Sequence, residues 1–363
     1  MSPVTNPVTD WYGGLEPELD WSMIAERPDD PEMRESASVW LFEENGEFAF
    51  PRIGIEAVGA KWESHRFDYN GALGGGRVLR QSTHAPTLPV LGASGRTSVL
   101  GAGGLRFECL DPFRKWRLSL DDTPYEGRIE DQLRGNFRIF ADNPVDPAFR
   151  QTPVRLEAEL TMAAPAWTQD YRIEKLAGMS EKQRTDAGLM GYGWRIEQLF
   201  RAEGELTVDG RTRAFRGQGS RIHRQSVRPM GTFRGHCWQS CLFTDGSGFA
   251  TIAYPLREGE SEEDRYNIAY FFRNGVMHPA RATNIPFLRN LMAEGDDVSL
   301  ELDCAAGRIA IGGTTTLSSF HIGNAGVGGM NNQQGTVRYT LDGMTAYGMI
   351  ERSSPAELCR LVE

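Results

Sequence analysis

Dipeptides that favour tight turns divide much of this 363-residue chain into short runs. Asn or Asp followed by Gly is the strongest local signal for a two-residue turn between antiparallel strands, because both residues tolerate the left-handed backbone that such a turn needs. Four of these dipeptides, which begin at Asn45, Asp209, Asp245 and Asn274, lie between runs with the composition of strands. Strands that follow one another without an intervening helix pair antiparallel, so the chain is expected to form antiparallel sheets rather than βαβ units.

The run at 154–160 shows the pattern of a strand most clearly. Its apolar residues alternate with polar ones and share one face, as a half-buried antiparallel strand requires; they are Val154, Leu156, Ala158 and Leu160. Similar runs lie on both sides of a charged stretch at 166–190 that has some helical character. The sequence therefore predicts an all-β protein with two antiparallel, barrel-like domains packed together and few short helices. One large β-sandwich is the alternative.

Changes of composition along the chain suggest where these domains begin and end. Residues 1–33 are rich in proline and acidic residues and are expected to form an arm that packs onto the body. The first β domain is predicted at 34–165, a linker at 166–190 and the second β domain at 191–363. The second domain is expected to end in a short helix at 354–362, with Ser353 or Ser354 as its N-cap and Pro355 in its first turn.

Charge and apolar run length argue against two classes of partner. The formal net charge is −10, so nucleic acid is not an expected partner. No run approaches the roughly 18 to 20 apolar residues that a membrane span needs. The first residues lack the basic and apolar regions of a secretory signal, and the five scattered cysteines are typical of reduced thiols. The chain is therefore predicted to be cytoplasmic, and its oligomeric state stays open.

Two motifs that suggest a cofactor or a metal are incomplete. The stretch "GGGR" at 74–77 lacks the Lys and Ser/Thr of a phosphate-binding loop and lies among strands. Cys237 and Cys241 are four residues apart but no second pair accompanies them, so they are interpreted as small core residues rather than zinc ligands. The sequence predicts no cofactor and no metal.

Acid-base chemistry has better support from the segments around 197, 223 and 236. Glu197 lies in a strand of bulky residues, His223 follows a glycine-rich turn, and His236 shares a strand face with Trp238. A histidine titrates near neutral pH and is the usual general acid or base. An aromatic side chain beside it can hold an apolar substrate. The alternative is that Glu197 pairs structurally with Arg221 while His223 caps a turn.

Two long segments resemble a known enzyme family. "EQLFRAEGELTVDGRTRAFRGQGSRIHRQSVRP" and "FRGHCWQSCLFTDG" are similar to the C-terminal half of the family that includes carotenoid 1,2-hydratase (hydroxyneurosporene synthase), the AttH-like proteins and fungal kievitone hydratase. In the first half, "RESASVWLFEENGEF" and "DPFRKWRLSLD" also resemble family patterns, so the likeness spans most of 34–350. The matching positions of the second half are Glu197, Gln198, Asp209, Gly210, Gly217, Gly219, Arg221, His223, Trp238, Phe243, Asp245 and Gly246.

This resemblance implies two lipocalin-like barrels packed together, with a ligand in an apolar pocket at or near their junction. It also implies cofactor-free chemistry, such as hydration of an alkene, dehydration or pericyclic cyclisation. One departure matters: Ile222 stands where the family commonly has Asp, and Gln225 stands where it has Trp. Simple alkene hydration is therefore not expected. His223 would instead act as a base, and Glu197 as an acid if burial raises its pKa.

The sequence thus predicts a cofactor-independent lyase or isomerase acting on an apolar small molecule such as a terpenoid, a steroid or an aromatic metabolite. A non-catalytic lipocalin-like carrier is the alternative. Arg224 adds a positive charge able to bind a substrate carboxylate. The predicted catalytic residues are His223, Glu197 and Arg221. The predicted substrate-binding residues are His236, Trp238, Trp194, Tyr192, Trp40, Gln198 and Arg224.

Overall fold

The computed structural model of the chain describes residues 10–24, 26–86, 98–143, 145–228, 233–324 and 328–362. Residues 1–9 of the predicted arm lie outside this range. The α-helices within it are α1 (Ile129–Leu133), α2 (Ile173–Leu176) and α3 (Glu181–Met190). Single 3₁₀ turns lie at Pro17–Asp20, Gly59–Lys61, Gly74–Gly76, Glu262–Asp264 and Ala356–Leu358.

The first half of the chain forms a large antiparallel sheet. Its strands are β1 (Met33–Glu43), β2 (Phe48–Val58), β3 (Ser64–Leu73), β4 (Arg77–Pro86), β5 (Ser98–Ala102), β6 (Leu105–Asp111), β7 (Lys115–Asp122), β8 (Tyr125–Arg128), β9 (Arg150–Gln151), β10 (Val154–Met162), β11 (Trp167–Asp170), β12 (Tyr192–Val208) and β13 (Arg211–Val227). The order across the sheet is β5-β6-β7-β10-β12-β13-β1-β2-β3-β4-β8-β9, and β11 pairs with β12. The sheet curls so that β5 packs across β1 to β4.

The second half forms a closed antiparallel barrel. Its strands are β14 (His236–Leu242), β15 (Gly248–Ala253), β16 (Asn267–Arg273), β17 (Val276–Thr283), β19 (Leu300–Cys304), β20 (Gly307–Asn324), β21 (Met330–Leu341) and β22 (Met344–Ser354). The short strands β18 (Asn290–Leu291) and β23 (Arg360–Leu361) pair in parallel outside the barrel. The all-β prediction with few short helices is confirmed.

Two of the four dipeptides form the predicted two-residue turn, whereas at positions 45–46 and 245–246 only the glycine has a positive φ. Asp209 and Gly210 join β12 to β13 with φ angles of 52° and 74°. Asn274 and Gly275 join β16 to β17 with φ angles of 53° and 76°. Positive φ at both central residues is the type I′ geometry, whose twist matches that of the flanking strands.

Each β unit buries its own apolar face. In β10, the residues predicted to share a face are all buried in the core of the first sheet: Val154, Leu156, Ala158 and Leu160. Cys241 belongs to the barrel core, and Cys237 is also buried, as expected of small core residues. Side chains of a strand alternate between faces, so each sheet also has a second face that this core does not cover.

The second face of the first sheet packs against the outside of the barrel. Strands β1, β2, β3 and β13 contact β14, β20, β21 and β22. An apolar patch that includes Trp40, Phe42, Trp238 and Met349 closes part of this junction. The rest of this second face of the first sheet carries charged and polar side chains, which line the candidate site.

The sheet pairing differs from the predicted division of the chain after 190. Strands β12 and β13 belong to the first sheet, whereas the sequence placed them at the start of the second domain. The reason is a long hairpin that pairs along its length with earlier strands. Val154–Met162 pairs with Phe200–Val208, and Met33–Glu43 pairs with Gly217–Val227. The segment at 217–227, interpreted as a turn, is therefore part of a strand.

The predicted helix at 354–362 is wrong. Ser353 and Ser354 are still paired with Asn332 and Asn331 in the barrel, so they cannot cap a helix. Beyond them the chain forms only a 3₁₀ turn and the short strand β23.

Within the described part of the chain, every helix is too short or too polar to cross a membrane.

Candidate functional site

A cavity of about 530 Å³ lies at the junction between the first sheet and the barrel. Strands β1 to β4, β12 and β13 supply one wall, and the outer face of β14, β15 and β20 to β22 supplies the other. The segment at 138–143 and the end of α3 also contribute to it. This volume falls within the usual range for a small-molecule pocket. We call this space the junction cavity.

Charged side chains line much of the junction cavity. Among the described residues, the lining arginines outnumber the lining carboxylates by eight to four. The arginines are Arg34, Arg52, Arg66, Arg80, Arg138, Arg195, Arg224 and Arg228, and the carboxylates are Glu56, Asp68, Asp142 and Glu351. The family resemblance implied an apolar pocket, so this wall is a correction. The physical reason is that the polar face of β1 to β4, which a sequence pattern assigns to solvent, is covered by the barrel.

Glu56 holds a cluster of arginines together. Its Oε1 lies 2.9 Å from Nη1 of Arg34 and its Oε2 lies 2.9 Å from Nη2 of Arg224. Arg66 is 3.5 Å away. Burial alone would raise the pKa of Glu56, but these guanidiniums and Arg52 hold it well below the usual value. The carboxylate is therefore ionised at neutral pH and fixes the arginine side chains in the wall.

Removing this carboxylate tests its role in stability. We expect Glu56→Gln to lower the free energy of unfolding by about 2 kcal/mol at pH 7, because buried guanidiniums lose a charged partner. The folded-state pKa lies below the ordinary value of 4.5, so the contribution is complete above pH 4.5 and declines as the pH falls further. Urea unfolding should show a smaller difference in the free energy of unfolding between the wild type and Glu56→Gln at pH 3 than at pH 7. The exposed Glu44→Gln is the control. The same difference at both pH values would contradict the expectation.

His236 and Glu351 form a titratable pair in the opposite wall. Nε2 of His236 lies 3.5 Å from Oε1 of Glu351, and its Nδ1 lies 2.8 Å from the hydroxyl of Ser353. Gln334 donates a hydrogen bond to the other oxygen of Glu351 at 2.7 Å. Burial would raise the pKa of Glu351, but His236 and nearby Arg52 lower it. An imidazole held at one nitrogen and faced by a carboxylate at the other can accept a proton and have the resulting charge stabilised.

A second histidine, His321, lines the same cavity. Burial and the positive charge of Arg80 hold its pKa well below the usual value, so it is neutral at neutral pH. Its Nε2 is buried and has no hydrogen-bond partner among the described residues.

Aromatic rings form the apolar part of the wall. The rings of Trp40 and Trp238 meet edge to face with centroids 4.6 Å apart. Phe233 and Tyr254 pack beside His236. A flat or alicyclic molecule can lie against such surfaces.

Glu197 lies directly behind this wall and is fully buried. Arg195 donates a hydrogen bond to its Oε2 at 2.7 Å, and the indole nitrogen of Trp238 donates to its Oε1 at 3.2 Å. Burial raises the pKa of Glu197 although Arg195 opposes the shift. These hydrogen bonds fix the side chains of Arg195 and Trp238, both of which line the junction cavity.

His223 lies on the opposite face of β13. The register pairs Ile196 with His223 and Glu197 with Ile222, so the side chains of Glu197 and His223 point to opposite faces of the sheet. The ring of His223 is buried, and its centroid lies 4.9 Å from that of Trp194. Its Nε2 is 3.6 Å from a carboxylate oxygen of Glu35. The structure does not bring His223 and Glu197 together.

Arg221 shares the buried face of His223 and anchors the N-terminal arm. Its Nη1 lies 2.6 Å from Oδ1 of Asp20, and both side chains are inaccessible to solvent. Its Nη2 donates to Gln198 at 2.6 Å. The second oxygen of Asp20 accepts hydrogen bonds from the backbone N–H of Phe113 and the indole of Trp116. This network fixes the arm to the sheet, away from the junction cavity.

The predicted substrate-binding residues divide between the two faces. Trp40, Arg224, His236 and Trp238 line the junction cavity. Gln198 and Trp194 lie with Arg221 and His223 on the other face, and the hydroxyl of Tyr192 donates to the backbone oxygen of Arg184 at 3.3 Å.

Sequence reasoning missed the other charged residues of the cavity. The available signal was alternation: polar or charged side chains recur every second residue in the first strands and share one face. They are Arg34, Ser36 and Ser38 in β1, Arg52 and Glu56 in β2, Arg66 and Asp68 in β3, and Arg80 and Ser82 in β4. Glu351 and His321 had no comparable signal, because Glu351 begins a continuous polar run that ends at Ser354, and His321 lies between Phe320 and Ile322.

Comparison with known proteins places this geometry in context. A family model described as "Domain of unknown function (DUF7064)" matches residues 24–356. No curated protein matches the chain. The crystal structure of a candidate AttH protein (NE1406) from Nitrosomonas europaea is similar, with a TM-score of 0.52 and 13% identity over 91% of this chain and 98% of that chain. The crystal structure of CghA with Sch210972 gives a TM-score of 0.54 and 13% identity over 95% and 97%.

These two structures confirm the lipocalin-like AttH type of fold that the sequence segments predicted. At 13% identity the likeness concerns the fold.

Proposed function

This chain belongs to the DUF7064 family, a domain of unknown function, and we propose that it is a cofactor-independent lyase or isomerase that moves protons in the junction cavity. The observation that carries the proposal is the His236–Glu351 pair, which lines the junction cavity beside a wall of aromatic rings. The fold alone does not specify an activity, so the argument depends on these side chains.

In the proposed reaction, the apolar skeleton of a small molecule lies against Trp40 and Trp238. In the tautomer in which Nδ1–H of His236 donates to the hydroxyl of Ser353, the lone pair of Nε2 removes a proton from a carbon activated by a neighbouring carbonyl. The carboxylate of Glu351 stabilises the imidazolium that forms. Return of the proton to another carbon gives isomerisation, and loss of a β-substituent gives elimination.

The similar structure of CghA was determined with Sch210972. By analogy, we infer that the substrate of this chain is also an organic small molecule. The predicted classes, terpenoid, steroid and aromatic, all offer a ring or a branched skeleton for the aromatic wall.

A non-catalytic carrier is the competing function. A carrier needs mostly apolar walls and a single polar anchor. The titratable pair and the arginines of this cavity favour the enzyme, because buried charges are costly and are concentrated at sites that use them.

We also propose a cytoplasmic location without a nucleic-acid partner. The five cysteines, all within the described ranges, are free thiols, which is usual in a reducing compartment. The net charge of −10 supports the proposal that nucleic acid is not a partner.

The test is deuterium incorporation by the wild-type protein in D₂O. Benzylideneacetone, citral and androst-5-ene-3,17-dione serve as aromatic, terpenoid and steroid probes, and mass spectrometry with NMR locates the label. We expect at least one probe to gain deuterium next to its carbonyl faster than in buffer alone. Probes that bind but return unlabelled would support the carrier, and probes that neither bind nor react would contradict the proposal.

A further inference from the structure

We propose that the ligand of the junction cavity carries a carboxylate, which is bound by Arg52 with help from the indole N–H of Trp40. This inference rests on the proposed function and adds the chemical class of the substrate. Its basis is the local backbone, the hydrogen-bond partners of the two side chains and the balance of charge around them.

A β-bulge places the two side chains next to each other. Between the pairs Val39–Ile53 and Leu41–Phe50, one residue of β1, Trp40, faces two residues of β2, Pro51 and Arg52. The register of β2 with β3 shifts at the same place. Bulges re-aim side chains and are frequent beside binding sites. Here the bulge brings a guanidinium and an indole to one part of the cavity wall.

Both side chains have donors without a partner among the described residues. The indole nitrogen of Trp40 is buried and forms no hydrogen bond, although the side chain is only 2% exposed. The guanidinium of Arg52 forms no hydrogen bond and no ion pair with a described residue, and its buried Nε is unsatisfied. A buried donor left unpaired costs free energy, so a ligand that accepts from both donors is favoured.

Arg52 is also one of three cavity-lining arginines that form no ion pair with a described carboxylate; the other two are Arg138 and Arg228. Each carboxylate near it has closer partners: Glu56 has Arg34 and Arg224 at 2.9 Å, and Asp68 has Arg66 at 3.3 Å. Glu351 has His236 and Gln334, as described above. An added negative charge at Arg52 therefore completes an ion pair rather than displacing one.

A carboxylate fits this position better than a phosphate does. A planar guanidinium matches the two oxygens of a carboxylate. A phosphate monoester carries up to two negative charges, so Glu56, Asp68 and Glu351 repel it more strongly than they repel the single charge of a carboxylate. Arg52, His236 and Glu351 all line the junction cavity, so a carboxylate bound at Arg52 shares this space with the proposed proton-transfer pair.

Binding measurements on a matched set of probes test the inference. The probes are 2-naphthylacetate, 2-(2-naphthyl)ethanol and 2-naphthyl phosphate, and isothermal calorimetry gives each Kd for wild type, Arg52→Gln and Trp40→Phe. We expect the wild type to bind the acid at least about 10-fold more tightly than the alcohol. Arg52→Gln should weaken the binding of 2-naphthylacetate about 30-fold, and Trp40→Phe should weaken it about 5-fold. Arg52→Gln should bind the alcohol within about twofold of the wild type. Trp40→Phe also loses ring surface from the aromatic wall, so its effect is read from the ratio of the acid Kd to the alcohol Kd, which should rise about 5-fold.

The control is Arg216→Gln, because Arg216 is exposed and pairs only with Glu203 at 3.2 Å. Unchanged alcohol binding by Arg52→Gln shows that this variant is folded, and the far-UV circular dichroism spectrum gives the same check for Trp40→Phe. A wild type that binds the acid no better than the alcohol overturns the inference, as does phosphate binding 10-fold tighter than acid binding. Binding needs no turnover, so Arg52-dependent acid binding without deuterium incorporation would leave the inference intact and remove the proposed function.

Discussion

Replacing His236 with Asn is expected to lower turnover about 100- to 10,000-fold, the usual loss when a general base is removed. Asn keeps a polar group that can reach the hydroxyl of Ser353, so the strand pairing around β14 should survive. The Michaelis constant is expected to change little, because the aromatic wall and the arginines still bind the ligand. Deuterium incorporation under saturating substrate measures the rate.

The matched variant is His223→Phe. His223 has no hydrogen-bond partner at either ring nitrogen among the described residues and lies against Trp194. A phenyl ring therefore preserves its packing. We expect turnover within about twofold of the wild type, since a buried ring behind the sheet reaches no ligand. Equal losses of turnover in His236→Asn and His223→Phe would show that proton transfer does not depend on the side chains that line the cavity.

Replacing Arg221 with Met is expected to destabilise the protein by about 3 to 5 kcal/mol, because it leaves the carboxylate of Asp20 buried without its cation. Urea unfolding monitored by tryptophan fluorescence gives the free energy. Turnover per folded molecule should be nearly unchanged, which separates a structural role from the catalytic role predicted from the sequence.

The double variant Asp20→Asn, Arg221→Met keeps this test interpretable if the single variant fails to fold. Removing both charges should recover part of the lost stability, since no buried charge is then unpaired. The exposed Arg216→Met serves as the control and is expected to change stability by less than about 0.5 kcal/mol. A loss below about 1 kcal/mol in the Arg221 variant would contradict the assignment.

The fold was predictable because its signals are local. The Asp209–Gly210 turn and the alternation at 154–160 depend on neighbouring residues only, and both act as expected. The division after 190 was not predictable in this way. It depends on which strands lie beside β12 and β13, and strand partners across the sequence have no local signature.

The site was predicted less well for a related reason. Histidine and carboxylate at positions 223 and 197 were taken as a pair by chemistry, but the register puts them on opposite faces. The polar face of β1 to β4 was visible as alternation. The same alternation is typical of a strand facing solvent, and only the packing of the barrel makes that face a cavity wall.

The two faces of β1 to β4 also separate two kinds of evolutionary change. Ser36, Ser38 and Ser82 line the junction cavity, whereas Val39 and Leu79, on the same strands, belong to the apolar core. On the proposed function, substitutions at the three serines are expected to alter which molecule fits the cavity without disturbing the packing that keeps the chain folded. Related genes can therefore diverge in the compound they recognise while they conserve one scaffold.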